Sequence, residues 1–478
     1  MQNSRPQTGR GLEYVVMLTL FANLTYRRLF AAQVLSLIGS GLTTVALGLL
    51  AYDLAGEHAG AVLGTALMLK MVAYVGVAPV ASAVSTYLPR RSLLVGLDVC
   101  RAALVFLLPF VDQIWQIYLL VFVFQLFSAA FTPTFQATIP DVLPDEEQYT
   151  KALSLSRLTY DLESLLSPLL AGLLLSVISF HWLFVGTTLG FIASAVLVLS
   201  VTLPVVIAKA GHAPDDERFS RRVMRGIRIY LATPRLRGLL ALNFAVSSVG
   251  AMVIVNTVVY VQVVLGGNEQ TYTTVLMAYG LGSMLVALLL PRLLGRISAR
   301  RTMLSGAFVL ALAAATAALG PTLHQTWLIW LVLGAGSALV LTPGGLLLRR
   351  SAQPEDRVAL FAAQFALSHA CWLITYPLAG WLGIAAGLDI TFLVMAGGAL
   401  AGGLLAMRLW PAGADALEQP HEHAALEHEH LHVHDEHHQH EHAGWEGPEP
   451  HRHPHRHKPL RHRHVFVIDD HHPIWPQQ

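Results

Sequence analysis

Most of this chain is written in long apolar runs, not in alternating apolar and polar positions. The runs cover residues 29–54, 61–87, 92–111, 115–139, 150–178, 182–203, 237–265, 271–294, 302–320, 326–348, 357–384 and 389–410. A helix needs about 20 apolar residues to cross the hydrocarbon of a bilayer, and each run is about that long. Backbone in hydrocarbon has to satisfy its own hydrogen bonds, and these runs lack the two-residue period of barrel strands. The pattern therefore predicts an all-α membrane protein with twelve transmembrane helices. Polar residues collect in an N-terminal segment 1–28, a central loop 204–236 and a tail 412–478. Between them lie an N-terminal six-helix half, 29–203, and a C-terminal six-helix half, 237–411.

Composition agrees with that division. The 478 residues are 54% hydrophobic and 13% charged, whereas soluble domains have about a quarter of their residues charged. The net charge of +1 says little, because basic and acidic residues are segregated along the chain. Basic residues sit in short loops between spans, which gives nucleic-acid binding no support. Cys100 and Cys371 both fall inside apolar runs, so there is no disulfide framework to indicate a redox compartment. The segment 1–28 carries Arg5, Arg10, Arg27 and Arg28, and no small-residue cleavage site follows a short apolar core there.

Charge also sets an orientation. Loops 55–60, 112–114, 179–181, 266–270, 321–325 and 385–388 contain no Lys or Arg. The opposite side holds Arg90, Arg91, Lys151, the stretch from Lys209 to Arg237, the stretch from Arg292 to Arg301, Arg349, Arg350 and Arg357. The positive-inside rule then places both termini in the cytoplasm of a bacterial inner membrane. Trp115, Trp182, Trp327, Trp381 and Trp410 fall near span ends, where interfacial aromatics are expected. The central loop is basic (Arg218, Arg221, Arg222, Arg225, Arg228), which suits either an amphipathic helix on the membrane or a solvated linker.

The two halves echo one another. Pro89-Arg90-Arg91-Ser92 returns as Ala299-Arg300-Arg301-Thr302, and Thr132-Pro133 returns as Thr342-Pro343. Pro168-Leu169-Leu170-Ala171-Gly172 returns as Pro377-Leu378-Ala379-Gly380. The shared spacing argues for a duplicated six-helix unit, and transporters built from repeats bind substrate near the midplane between them.

With this topology, residues 29–410 resemble the major facilitator superfamily. Paired basic residues follow the second and eighth spans, although Thr86 stands where that family's loop pattern has an acid. Asp98 and Arg101, in Asp-Val-Cys-Arg-Ala, resemble the third-span signature of its macrolide and siderophore efflux branch. The run from Phe131 to Asp141, the segment from Leu155 to Asp161 and the His-rich end resemble the NreB and NrsD type of nickel-resistance permeases. That resemblance implies export of Ni²⁺ or Co²⁺ from the cytoplasm, driven by proton entry, and hence metal resistance.

An ionisable side chain at mid-bilayer costs at least about 2.5–3.5 kcal/mol, so each one calls for a reason. Arg157 and Asp161, four apart, share a helical face and can pair, as internal neutralisation or as part of the pathway. Glu163 lies two residues on and points roughly away from Asp161, toward a neighbouring helix or the lipid if Asp161 faces the cavity. Lys70 is expected to take Asp161 or Glu163 as its counter-charge, either as a movable switch or as a static buried pair. His369 is a candidate ligand or a packing histidine. Cys371, two residues away on a helix, diverges from it by about 200°. Asp53, Asp98, Asn243 and Asn256 are further oxygen donors, and Arg101 and Arg157 complete the expected pathway and coupling set.

The tail contains eighteen of the chain's 23 histidines. Its first block carries His421, His423, His428, His430, His432, His434, His437, His438, His440 and His442 among acidic residues. The second, 451–464, alternates histidine with Arg, Lys and Pro. Neutral imidazole is a good ligand for Ni, Co, Cu and Zn. With no helical apolar face, the tail is expected to be disordered without metal, and the acidic block to bind more tightly than the arginine-rich one. No nucleophile–base cluster or Walker loop supports an enzyme, and no resident cofactor is required: a divalent ion would be cargo, with protons and the bilayer as the other partners. Two alternatives stay open. One is a drug or metallophore exporter with an accessory tail, and the other is a membrane-anchored metal store or sensor.

Overall fold

A computed structural model describes residues 20–84, 89–143, 148, 152, 155–156, 159, 163, 167, 169–203, 216–294, 296–351, 356–412, 418–423, 427–432, 451–456, 460–465 and 475. The N-terminal half contains α1 (Leu24–Ala55), α2 (Ala59–Val84), α3 (Arg90–Leu107), α4 (Ile114–Val142) and α5 (Phe180–Leu199). A helix α6 (Asp216–Ala232) follows in the central loop. The C-terminal half contains α7 (Pro234–Val259), α8 (Glu269–Leu294), α9 (Ala299–Ala317), α10 (Leu323–Leu341), the short α11 (Gly344–Arg349), α12 (Arg357–Ala386) and α13 (Leu388–Leu409). Helices thus stand at the expected spans, apart from that at 150–178. Much of that stretch lies outside the described residues, and its residues 169–175 are helical.

Among the described residues, nine helical stretches are long and apolar enough to cross a membrane, against the twelve expected. One stretch, Leu24–Val75, contains both α1 and α2, separated by a single 3₁₀ turn at Gly56–His58. The expected ninth span falls short because Arg300 and Arg301, at the start of the 19-residue α9, lower its mean hydropathy.

Local chemistry explains the helix ends. The Asn23 side chain accepts a hydrogen bond from the Tyr26 amide at 3.0 Å and caps α1. Reciprocal Gln113/Gln116 and Thr322/Gln325 capping boxes start α4 and α10. Gly387, at φ 86°, lets the chain turn from α12 directly into α13 in a conformation that a side chain would strain.

The packing within one half recurs in the other. Helix α1 packs on α5 as α7 packs on α13, α2 on α4 as α8 on α10, α3 on α5 as α9 on α13, and α3 on α4 as α9 on α10. The echoed basic turns have matching jobs. Arg91 donates to the Leu199 carbonyl at the end of α5, and Arg300 Nε donates to the Trp410 carbonyl beyond α13 at 2.6 Å. A guanidinium at a helix C-terminus satisfies carbonyls that the helix leaves open.

The halves meet where α2 crosses α12. A Cβ on Gly380 would lie 2.4 Å from the Gly60 carbonyl oxygen, so the backbones approach as only small residues permit. Trp381 Nε1 donates to Thr65 Oγ1 at 3.2 Å beside this contact. Trp115, Trp182 and Trp381 are exposed at helix ends as expected, but Trp410 is fully buried against Gly238.

The central-loop helix α6 docks against α12. Arg225 grips Asp356 with two hydrogen bonds of 2.6 and 3.0 Å, and Ile229 and Tyr230 are buried. Of the two sequence expectations for this loop, its described part is a helix seated on the C-terminal half.

Four described stretches of the tail are paired as strands. Strand β1 (Glu418–His423) pairs antiparallel with β4 (Leu460–Val465), and β2 (Glu427–His432) with β3 (His451–Arg456). Alternating His-x-His has the two-residue period of a strand, and that favours pairing over a helix. Near the end of the chain, the Arg235 guanidinium carbon lies 5.6 Å from the centre of the Trp475 ring.

Candidate functional site

The site is assembled around Glu163, a helical residue of the fifth span. The Ser167 hydroxyl, one turn on, hydrogen-bonds its carboxylate. Gly41 of α1 faces both: a Cβ there would sit 2.7 Å from Glu163 Oε1 and 1.8 Å from Ser167 Oγ. Absence of a side chain at position 41 makes the room that the carboxylate occupies. Lys70 of α2 and Tyr376 of α12 lie within the field of Glu163. One carboxylate therefore interacts with groups of both halves.

Of the two counter-charges expected for Lys70, Glu163 is the one the described residues supply. Glu163 lies against Gly41 of α1, a neighbouring helix, which was one of the two directions expected for it. Arg157 and Asp161, with their expected ion pair, lie outside the described residues, as do 85–88 with Thr86.

Lys70 lines a small cavity with Ser40, Thr43 and Thr44 of α1, Tyr74 of α2 and Gln125 of α4. The three hydroxyls donate to carbonyls one turn back, at Ser36, Gly39 and Ser40, over 3.0, 3.0 and 3.1 Å. With their protons committed to their own helix, these oxygens offer lone pairs to a cation. Such a lining suits an ammonium, a proton carrier or a metal ion better than an anion.

His369 of α12 adjoins the same region from the other half. Its ring stacks on Tyr74, with centroids 5.6 Å apart and planes 8° from parallel, and packs on Phe365 at 3.9 Å. Lys70 Nζ lies 5.9 Å from the centre of the Tyr74 ring, so Lys70, Tyr74 and His369 form a continuous contact across the halves. His369 Nδ1 is 2.7 Å from the Phe365 carbonyl oxygen, which only accepts. The contact therefore places a proton on Nδ1. Cys371 diverges as expected, its Sγ 3.5 Å from the Leu367 carbonyl.

Asp98 and Arg101 form a buried ion pair, 0% and 3% exposed, and neither is among the residues that line the cavity. Ser194 Oγ of α5 donates to Asp98 at 2.7 Å, Arg101 donates to Ser36 Oγ of α1 at 3.0 Å, and the guanidinium lies over Phe131 and Phe191 at 4.1 and 4.5 Å. The pair ties α1, α3, α4 and α5 together.

The other oxygen donors are placed away from Glu163. Asp53 is exposed near the end of α1. Asn256 donates to the Ala379 carbonyl at 2.9 Å, and Asn243 is buried in α7. Among the described residues, no three His, Cys, Asp or Glu side chains converge on a point that could hold a metal.

In the tail, His421 and His423 fall in β1 and His428, His430 and His432 in β2. His434, His437, His438, His440 and His442 lie outside the described residues.

Sequence reasoning passed over Ser167, Tyr74, Tyr376 and Gln125. Gln125 was the one with a visible signal, an amide within an apolar span. The Ser40-Thr43-Thr44 spacing marked a hydroxyl-bearing face of α1 in the same way.

This is the architecture of a multi-pass membrane transporter: long apolar helices in matching sets around a polar, charge-bearing cavity. The Major Facilitator Superfamily model matches residues 29–333 and 240–468, and the chain belongs to that family. Its family and fold are those of transporters. It is 26% identical over 210 residues to the uncharacterized MFS-type transporter YfiS of Bacillus subtilis, covering 44% of this chain and 49% of that protein. It is 25% identical over 213 residues to macrolide efflux protein A of Streptococcus pyogenes, covering 43% of this chain and 51% of that one. The chain thus spans about half the length of these curated relatives.

Among solved structures, a bacterial homolog of the human lysosomal transporter Spinster aligns with a TM-score of 0.62 at 13% identity, covering 84% of this chain and 98% of that one. The D-xylose–proton symporter aligns with a TM-score of 0.58 at 14% identity, covering 82% and 97%. At these identities the likeness speaks for the fold alone.

Proposed function

We propose that this protein is a proton-coupled secondary exporter of a divalent transition metal, Ni²⁺ first and Co²⁺ second, from the cytoplasm. The observation that carries the reading is the coupling of Glu163 to Lys70 beside a cavity lined by hydroxyl oxygens. A carboxylate that holds either a proton or a cation, next to a movable ammonium, is the minimum needed to exchange one for the other. His369 adds a borderline ligand from the other half, and an ion bound between halves is the one that rocking carries across. The recurring helix pairs support two six-helix repeats, with the fifth span completing the first. The lysine- and arginine-free loops support a bacterial inner-membrane orientation with both termini and the His-rich tail in the cytoplasm, where an exporter collects its cargo.

A second reading, export of a drug or metallophore, is favoured by the similarity to macrolide efflux protein A. Inside-out vesicles with an acid interior separate the two. The metal reading expects accumulation of Ni²⁺ and Co²⁺ that collapses when the pH gradient is dissipated. Accumulation of a macrolide with no metal uptake would sink it.

A further inference from the structure

The tail has one feature that neither the family nor the cavity explains: its two histidine blocks are paired with each other. In the β2–β3 ladder, His428 stands opposite His455, His430 opposite His453 and His432 opposite His451. Residues two apart on a strand share a face. All six histidines therefore occupy one face of the ladder, as three facing pairs. The alternate positions carry Glu427 opposite Arg456, Glu429 opposite Pro454 and Leu431 opposite Arg452. The arginines expected to repel a cation stand at positions of the other face, where opposite charges at the facing positions Glu427 and Arg456 favour this register. The β1–β4 ladder has one such pair, His421 opposite His462, while His464 faces Gln419 and His423 faces Leu460.

We propose that the β2–β3 ladder is a composite site for a late first-row divalent ion, built from both histidine blocks and not from the acidic block alone. Facing positions in an antiparallel ladder are about 4.5–5.5 Å apart at Cβ, and successive pairs on one face about 6.6–6.8 Å apart. Two adjacent pairs thus give four histidines at neighbouring positions of one face, a set that an arriving ion can draw together. Imidazole sets of this kind suit Ni²⁺, Co²⁺, Cu²⁺ or Zn²⁺, whereas Mg²⁺ and Ca²⁺ take oxygen ligands. The second block is then a half of the site, not a weaker site of its own.

The inference deepens the exporter reading, since it locates where cargo is first held, and its test is kept separate from transport. Ni²⁺ alone is titrated calorimetrically into the full-length protein in detergent. One variant carries His428→Ala, His430→Ala and His432→Ala, a second carries His451→Ala, His453→Ala and His455→Ala, and a third combines them. A composite site predicts that either set weakens the tightest binding by about tenfold or more, and that the combination weakens it no further. A fourth variant exchanges neighbours without changing composition: His451→Arg, Arg452→His, His453→Pro, Pro454→His, His455→Arg and Arg456→His. The ladder predicts the same loss there, because the histidines move to the opposite face. Unchanged affinity in the second or fourth variant would overturn the proposal. Thermal unfolding of each variant at the wild-type midpoint confirms that the membrane body is intact. Vesicle uptake of Ni²⁺ is scored apart: paired binding without transport removes the exporter reading and leaves the ladder, and transport without paired binding does the reverse.

Discussion

Among its described residues, the N-terminal half carries two acid–base pairs within its helices, and they are held in opposite ways. Asp98 and Arg101 sit three residues apart on one helix, grip each other, and are further bonded by Ser194 and Ser36. Lys70 and Glu163 come from different helices; Lys70 lines a cavity and lies near Tyr74, and Glu163 interacts with Tyr376 of the other half. A charge surrounded by fixed partners holds a bundle together, whereas one beside a cavity has room to change partners. Both kinds carry the insertion cost of an intramembrane charge. On the proposed reading, the second uses it for exchange.

The largest expected effect comes from breaking the locked pair. Arg101→Ala leaves the Asp98 carboxylate buried and uncompensated, a cost of about 3–5 kcal/mol. The expected outcome is loss of monodisperse protein in detergent, read by fluorescence-detected size exclusion. The double variant Asp98→Leu, Arg101→Met should recover much of it, since replacing both members of a buried pair by apolar residues is close to neutral. A single variant as stable as wild type would show that the pair is not structural.

The cavity pair should behave in the reverse manner. Glu163→Gln keeps the shape and the partner for Ser167, so its thermal midpoint is expected within a few degrees of wild type, while proton-driven metal uptake falls at least about tenfold. Lys70→Ala should reduce uptake similarly, and combining it with Glu163→Gln should add little, because the two act as one unit. Additive losses, measured in the same vesicles, would mean that the residues serve separate steps.

His369 comes next in size. His369→Phe preserves the stack on Tyr74 but removes the ligand, so metal is expected to be bound more weakly with little change in maximal rate. A change confined to maximal rate would assign His369 to positioning. The smallest effect on the transport machine is expected from deleting 412–478: saturating metal should be exported at near the wild-type rate, with the deficit appearing only at low metal.

How much of this could be read from the chain itself differs between regions for physical reasons. Span positions were legible because hydrocarbon demands a run of apolar residues, and the recurrence of helix pairs matches the repeated turns at Arg90 and Arg300. Partner choice was not. Lys70, Asp98 and Glu163 were each recognisable as costly intramembrane charges, but whether a charge is locked or shared depends on which helices meet, as with Ser194 reaching Asp98 from α5. Gly41 shows the same limit, since its role is to leave space for a side chain more than a hundred residues away. In the tail, the two-residue histidine period was on view as a strand signal. Its meaning depends on the register that sets His430 against His453.

The central claim is that Glu163 exchanges a proton for the transported ion. Inside-out vesicles holding an acid-inside gradient, reported by a pH-sensitive dye, are given Ni²⁺ while vesicle metal is measured by mass spectrometry. Wild-type protein should release protons as metal enters, and Glu163→Gln should do neither at normal expression. Wild-type rates of both in Glu163→Gln would contradict the account.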